Sequence, residues 1–303
     1  GSSPPATTVA ETKEQATKAG GSLRRNRLES VMRKIVETNV IGLYITSRCT
    51  LNCKLCASGI PYYKDPHHTE TSKILETFER LFPLYDKVNH ADLLGGEPLM
   101  HPDIDVIAAE LFKYREFVPE FRIITNGTIV PSDRLCRSVR KILDGGTRFL
   151  VLLDNYGVYS RNLEAVYEKF HTYDIPIRID KYDGATDEQY SGGWVNYGDY
   201  MPTHKTDQEI ALQWRNCICR DLNYHEVWEG CIYPCAYSYA ISALGHGVMS
   251  KEEYVDLFDG SPAEEQRRKL RMFNLAPNSA CHYCYSLSRT SPPAAEQLPR
   301  DRV

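Results

Sequence analysis

Three cysteines stand within eight residues of one another, Cys49, Cys53 and Cys56 in the string SRCTLNCKLC. The C-x3-C-x2-C spacing lets one short loop present three thiolates to a single metal group. Structural zinc wants four closed ligands, so a zinc reading needs a distant His or Cys to complete the set. An iron–sulfur cube held by three cysteines instead leaves one iron open for a small molecule. A second group lies downstream: Cys217, Cys219, Cys231, Cys235, Cys281 and Cys284. Cys281-His-Tyr-Cys284 is a compact two-ligand chelate, and Gly230 to Cys235 (GCIYPC) reads as a hairpin whose turn glycine aims Cys235 at a metal. Either Cys217 or Cys219, joined to Cys235 and the CxxC pair, makes four ligands, enough for one closed cluster or one structural zinc.

Ten cysteines in 303 residues, with no apolar signal core at the N-terminus, point to metal in a reducing compartment rather than to disulfides. The expected location is the cytoplasm. With 36 Lys+Arg against 40 Asp+Glu, the chain has no basic surplus for phosphate neutralisation, which argues against nucleic acid as a partner. No apolar run reaches the length needed to span a bilayer, which argues against a membrane.

The elements that must position these cysteines follow from periodicity. Residues 1–22 are small, polar and aperiodic; the leading Gly-Ser-Ser reads as a cleavage scar and the rest as a disordered leader. A helix is expected over Leu23–Glu37, with Leu28, Val31, Met32, Ile35 and Val36 on one face. Apolar runs at Val40–Thr46, Ala91–Leu94, Phe121–Thr125, Phe149–Leu153 and Ile175–Ile179 read as buried parallel strands. Amphipathic stripes lie between them: Ile74 to Tyr85, Ile104 to Leu111 and Leu163 to Phe170. Cys136 falls in a further helical stretch, Arg134–Leu143, as a core residue. The alternation predicts an α/β fold of βα units, as an open sheet or a full or partial barrel. It stops after Asp183, and a domain boundary is expected near residue 205.

The first strand runs straight into the cysteine loop, and the second ends in Leu94-Gly95-Gly96-Glu97-Pro98. Two glycines permit close backbone approach to a ligand, and the carboxylate that follows can hold an ammonium group. Both lie at the C-terminal end of a strand, where barrel enzymes carry their sites.

With Thr125-Asn126-Gly127 after the third strand, these motifs resemble, in order and context, the radical S-adenosylmethionine (radical SAM) superfamily over roughly residues 40–183. The resemblance implies a partial (βα)6 barrel of the TIM type. Cys49, Cys53 and Cys56 would bind a 4Fe–4S cluster whose open iron is chelated by SAM. Gly95, Gly96, Glu97 and Pro98 would meet the methionyl amine, and Asn126 the ribose; Asp154 and Arg178, at the next two strand ends, are further candidates. The residue before the third cysteine is often aromatic in that family and borders the adenine; here it is Leu55. The C-terminal region resembles the twitch module, a shortened relative of the SPASM domain, holding one auxiliary 4Fe–4S cluster. Cys217, Cys235, Cys281 and Cys284 have the spacing of radical SAM cyclitol dehydrogenases, with Cys219 able to replace Cys217. Cys231 is left over, as a spare thiol or a hydrogen-atom donor.

The resemblance implies reductive cleavage of SAM to a 5′-deoxyadenosyl radical, with electrons from a reductase such as flavodoxin or ferredoxin. An auxiliary cluster suits a reaction that loses a second electron: oxidation of a hydroxyl in a small sugar-, cyclitol- or aminoglycoside-like substrate. Such a reaction needs a base, for which Asp180, Lys181 and His225 are placed by location. The loop SGGWVNYGDY (191–200) offers aromatic platforms that suit sugars. Peptide crosslinking or epimerisation is the rival; about forty residues precede the first strand, fewer than the recognition module that peptide-modifying enzymes often carry. A non-catalytic metal-binding protein is the alternative of another class.

Overall fold

The structure is a computed structural model that describes residues 35–183, 198–246, 248–285 and 293–299, with Gln189, Trp194 and Asn196. The leader, the greater part of the helix expected at Leu23–Glu37, and five residues of the aromatic loop (Ser191, Gly192, Gly193, Val195 and Tyr197) lie outside the described residues. Where that helix was to end, Glu37 instead opens the first strand. Val36 is buried just before it, its N–H donating to the Asp86 carboxylate at 2.8 Å.

Five strands follow the predicted apolar runs: β1 (Glu37–Tyr44), β2 (Lys87–Leu94), β3 (Glu120–Thr125), β4 (Arg148–Asn155) and β5 (Ile177–Lys181). They lie side by side and parallel, each linked to the next by helical crossovers. The crossover helices are α1 (Thr71–Leu81), α2 (Ile104–Leu111), α3 (Asp133–Asp144) and α4 (Leu163–His171). Their apolar stripes, including Phe78, Ile107, Val139 and Phe170, pack against the odd-numbered positions of the strands: Ile41, Leu43, Ala91, Leu93, Phe121, Ile123, Phe149 and Val151. Cys136 is fully buried in that layer.

The sheet does not end at β1. After a long excursion the chain returns as β6 (Tyr224–Trp228), parallel to β1 on its free side, and adds β7 (Cys231–Tyr233) and β8 (Val255–Asp256) antiparallel. The order is β5-β4-β3-β2-β1-β6-β7-β8, an open, mostly parallel sheet. The six parallel strands of a partial barrel are present, but the sixth sits beside β1 rather than beside β5. The residues beyond 205 therefore share the sheet of the preceding ones, and four further helices, α5 (Asp207–Arg215), α6 (Ile218–Asp221), α7 (Ala236–Ala243) and α8 (Ala263–Met272), surround that added edge.

Side chains alternate across a strand, so the even-numbered positions of β1–β6 form the inner face. Registers place Gly42, Asp92 and Arg122 across three strands, and Asp154 beside Asp180. Buried parallel strands were expected to be apolar on both faces. Here the inner face carries Asp92, Arg122, Asp154, Asp180 and Glu226 among apolar residues such as Val40 and Leu152.

Candidate active site

The cysteine loop leaves the C-terminal end of β1 and is fixed by backbone contact with the turn after β2. Gly96 N–H donates to Thr46 C=O at 2.8 Å and Glu97 N–H to Arg48 C=O at 2.9 Å. A Cβ on Gly95 would stand 2.5 Å from the Thr46 oxygen, and one on Gly96 2.3 Å from the Arg48 oxygen and 2.8 Å from Cys49 Cβ. Sequence reasoning reserved this closeness for a ligand; what the two glycines approach is the cysteine loop itself. Pro98 then opens a buried single turn.

Glu97 is wholly buried and clamps this turn to the end of β3. Its carboxylate accepts from Leu99 N–H (3.1 Å), Thr125 Oγ1 (2.8 Å) and Asn126 N–H (2.9 Å). Burial outweighs those three donors and pushes its pKa up to about 7. Asn126 turns its amide toward the loop, with Nδ2 3.2 Å from Thr50 Oγ1 and 3.7 Å from Cys49 Sγ. Glu97, Asn126 and Cys49 are thus one connected unit at the C-terminal ends of β1, β2 and β3.

Each thiol of the loop has donors aimed at its sulfur. Cys49 receives the Leu51 N–H at 3.5 Å; Cys53 receives the Gln297 amide at 3.3 Å; Cys56 receives backbone N–H groups of Ile60, Ser58 and Gly59. Such donors stabilise thiolate bound to metal, as second-shell partners do in metal centres generally. In the protein alone burial wins, raising all three thiols and Cys53 to about 12. Among the described residues no three His, Cys, Asp or Glu side chains converge on a single-ion position. Three thiolates, each with N–H donors at its sulfur, are the ligand set of a cluster with one open iron and leave a zinc one ligand short.

The aromatic loop packs over this unit. Trp194 donates its indole N–H to the Leu55 carbonyl at 3.0 Å and meets Tyr156 and Tyr182 edge-on. Tyr200 is buried, stacks on Tyr237 and donates to the Cys56 carbonyl. Instead of open platforms for a sugar, these rings form a wall behind the cysteines.

On the inner face, Asp180 is buried and held by a two-pronged ion pair with Arg178, at 2.7 and 2.8 Å. That pairing occupies both residues: Arg178 faces Asp180, and Asp180 already accepts two donors. Lys181, one residue on, is exposed. His225 lies on the helix side, buried against Tyr85 Oη (2.7 Å) and Phe273, away from the inner face. Cys231 sits on β7, between β6 and the edge strand β8, opposite Asp256, with Tyr233 and Lys73 nearby. Asp154 is the carboxyl that faces inward beside this unit: it accepts from Tyr156 Oη at 2.8 Å, and burial with neighbouring Asp180 and Glu97 raises its pKa to about 7. Sequence reasoning did not single out Asp92 or Glu226, both buried on the same face with pKa values pushed up by desolvation. Each is a carboxylate inside an apolar strand (ADLL, HEVW), the one local signal that could have marked them.

The second cysteine group surrounds a cavity of about 240 Å³ lined by Cys217, Cys219, Cys235, Cys281 and Cys284. Gly230, with Glu229, makes the β6–β7 turn before Cys231 rather than at Cys235. Cys235 is set instead as the N-cap of α7, its sulfur accepting the Ser238 N–H at 3.3 Å. Cys217 stands at the N-cap of the one-turn α6, and its thiol is lowered because Cys219 and two backbone N–H groups donate to it. Cys219 is correspondingly held protonated. Five sulfurs line this one cavity, more than the four that a single tetrahedral zinc binds and enough to hold a polynuclear centre. Replacing Cys235 or Cys284 with Ala should remove about four irons per chain while leaving the first site loaded, checked by iron analysis after anaerobic reconstitution.

Residues 43–176 match the radical SAM superfamily. That stretch, with its three-cysteine loop and the turn after β2, is a radical SAM domain, and the superfamily works with SAM and a 4Fe–4S cluster. Over 101 residues the chain is 34% identical to GTP 3′,8-cyclase of Nautilia profundicola, covering 33% of this chain and 30% of that protein. Over 89 residues it is 38% identical to molybdenum cofactor biosynthesis protein 1 of Bos taurus, covering 29% of this chain and 14% of that one. The fold is similar to that of BtrN, crystallised with AdoMet and 2-DOIA, at a TM-score of 0.53 and 13% identity over 86% of this chain and 98% of BtrN. No helix among the described residues is long and apolar enough to cross a membrane.

Proposed function

We propose that this chain oxidises a carbinol carbon of a small polar, sugar- or cyclitol-like substrate in the chamber between its two cysteine groups. The observation that supports this most directly is the second cysteine group, five cysteines lining one cavity in a chain that also carries the three-cysteine loop. The fold similarity over most of both chains to BtrN, crystallised with AdoMet and 2-DOIA, supports SAM chemistry on a small molecule in this fold. When bound, SAM and the first cluster supply a 5′-deoxyadenosyl radical that removes one hydrogen atom, and an auxiliary cluster on Cys235, Cys281, Cys284 and Cys217 or Cys219 accepts the second electron.

The residues of the chain do the rest. Cys49, Cys53 and Cys56 hold the first cluster, with Glu97 and Asn126 beside it at the strand ends. The Trp194, Tyr156 and Tyr182 wall excludes water from the reacting centre. The hydroxyl proton must leave as the ketone forms, and we assign its acceptor as Asp154. Its pKa of about 7 is close to the value at which a base works best near neutrality.

A base must be ionised, so ketone formation should rise with pH through about 7. In Asp154→Asn that acid limb should disappear, and turnover should fall by roughly two orders of magnitude or more. An unchanged pH profile in the variant would remove Asp154 from this role. The function itself is tested by anaerobic incubation with SAM, dithionite and a panel of polyols, following 5′-deoxyadenosine and carbonyl products. Ketone formed in step with 5′-deoxyadenosine supports oxidation. 5′-Deoxyadenosine with substrate returned at inverted configuration, or crosslinked peptide, would favour the redox-neutral or peptide-modifying alternatives.

A further inference from the structure

Gly42, at the middle of β1, is flanked on the inner face by Asp92 of β2 and Glu226 of β6, each its register partner. Two inter-strand spacings separate those carboxylates at the backbone, about 10 Å, and both side chains rise from the same face. Gly42 has no side chain, and its space is taken by the Tyr224 hydroxyl, which lies 2.1 Å from where a Cβ would stand. The phenol oxygen thus sits over Gly42, between the two acids, 3.4 Å from Glu226 Oε2.

Two oxygens of this group have no hydrogen-bond partner among the described residues. Glu226 Oε1 and Asp92 Oδ1 are both sealed from solvent, in residues 0% and 6% exposed, and neither is hydrogen-bonded. The surroundings do not balance their charge. Among the described residues no cation bears on Glu226, where burial is opposed by the Tyr224 hydrogen bond. Arg122 and Arg178 both act on Asp92, but Arg122 is bonded to Glu120 (2.5 Å) and His90 (3.0 Å), and Arg178 to Asp180. His90 is 3.8 Å from Asp92 Oδ1, beyond hydrogen-bond reach, and is kept neutral by burial. An unpaired buried acid is costly to keep unless something completes it.

We infer that Asp92, Tyr224 and Glu226 form a seat for an ammonium group, and that the substrate of this enzyme is an amine. This deepens, and rests on, the reading of the inner face as the substrate chamber. An ammonium has three N–H donors, and the seat offers three acceptors: Asp92 Oδ1, Glu226 Oε1 and a lone pair of the Tyr224 oxygen, whose proton is turned toward Glu226 Oε2. A hydroxyl has one proton to give and no charge, so it leaves two acceptors unfilled. A bare hard cation would need several more oxygens than these three. Gly42 is then the residue that makes the seat possible, since any side chain there would expel the tyrosine hydroxyl.

The test uses two matched pairs on the SAM-loaded, anaerobically reconstituted full chain: glucosamine against glucose, and cyclohexylamine against cyclohexanol. Binding is read by calorimetry, and turnover by carbonyl product. The amine of each pair should bind at least about tenfold more tightly than its alcohol, as expected for hydrogen bonds to charged groups. Asp92→Asn and Glu226→Gln should each abolish that preference. Iron content and circular dichroism establish that the variants fold; should either fail to load, Tyr224→Phe, which removes one acceptor and no charge, should reduce the preference without erasing it. Equal binding within both pairs, or a preference that survives both substitutions, overturns the inference. The two readings fail separately: amine preference with no polyol oxidised keeps the seat and rejects the proposed oxidation. Ketone formation from glucose and glucosamine alike, with no amine preference, does the reverse.

Discussion

Replacing Cys49, Cys53 or Cys56 with Ala should abolish 5′-deoxyadenosine formation while leaving the sheet intact. Three sulfurs are the least that can hold a cube with one iron open to SAM, so the loss should be complete rather than graded. The fold should survive because the loop lies beyond the C-terminal end of β1, and the helix-side core of Ile41, Leu43, Leu93 and Phe121 does not depend on it. Iron analysis should show about four irons lost per chain, with unfolding by circular dichroism little changed. A single variant of the three that still cleaves SAM would contradict the role given to the loop.

The second large effect is steric. Gly96→Ala adds one methyl group, yet its Cβ would lie 2.3 Å from the Arg48 oxygen and 2.8 Å from Cys49 Cβ. Neither neighbour is a flexible chain end; both are parts of the cysteine loop's own path. The loop and the turn after β2 must separate, breaking the Gly96–Thr46 and Glu97–Arg48 backbone bonds. The cost should be about 3 kcal/mol, the upper part of the usual range for overpacking, and Cys49 should be displaced. Reduced cluster loading together with a lower melting temperature is expected. Gly146→Ala is the control, since its Cβ would meet nothing within 4 Å; its effect should be confined to the backbone strain of a positive φ, with cluster loading kept.

The strands β1–β5 and helices α1–α4 were legible because each is a local apolar pattern, read by its period. The cysteine loop and the LGGEP turn were legible for the same reason: spacing within a few residues carries the chemistry. What the two glycines touch was not legible, since Thr46 and Arg48 come to them through strand pairing. The Gln297 amide that reaches Cys53 is separated from it by 244 residues. The place of β6 was hidden likewise: Tyr224–Trp228 follows a long excursion, and nothing in YHEVW says that it will lie beside β1. Without that placement Glu226 is an acid in a short strand; with it, Glu226 and Asp92 face one another across Gly42. The bases proposed from location failed to gather for a related reason. His225 is one residue from Glu226, and a period of two sends it to the helix side.

One chain is expected to hold two separate iron–sulfur centres, of which the first cleaves SAM. The direct measurement is an iron and sulfide count with Mössbauer spectra on anaerobically reconstituted protein, wild type beside the Cys49/Cys53/Cys56 triple Ala variant, with 5′-deoxyadenosine assayed in both. The wild type should hold about eight irons, falling to about four in the variant, with 5′-deoxyadenosine formed by the wild type alone. About four irons falling to none would show that the C-terminal cysteines hold no cluster, and oxidation would lose its electron acceptor. Formation of 5′-deoxyadenosine by the triple variant would show that SAM cleavage does not depend on the three-cysteine loop.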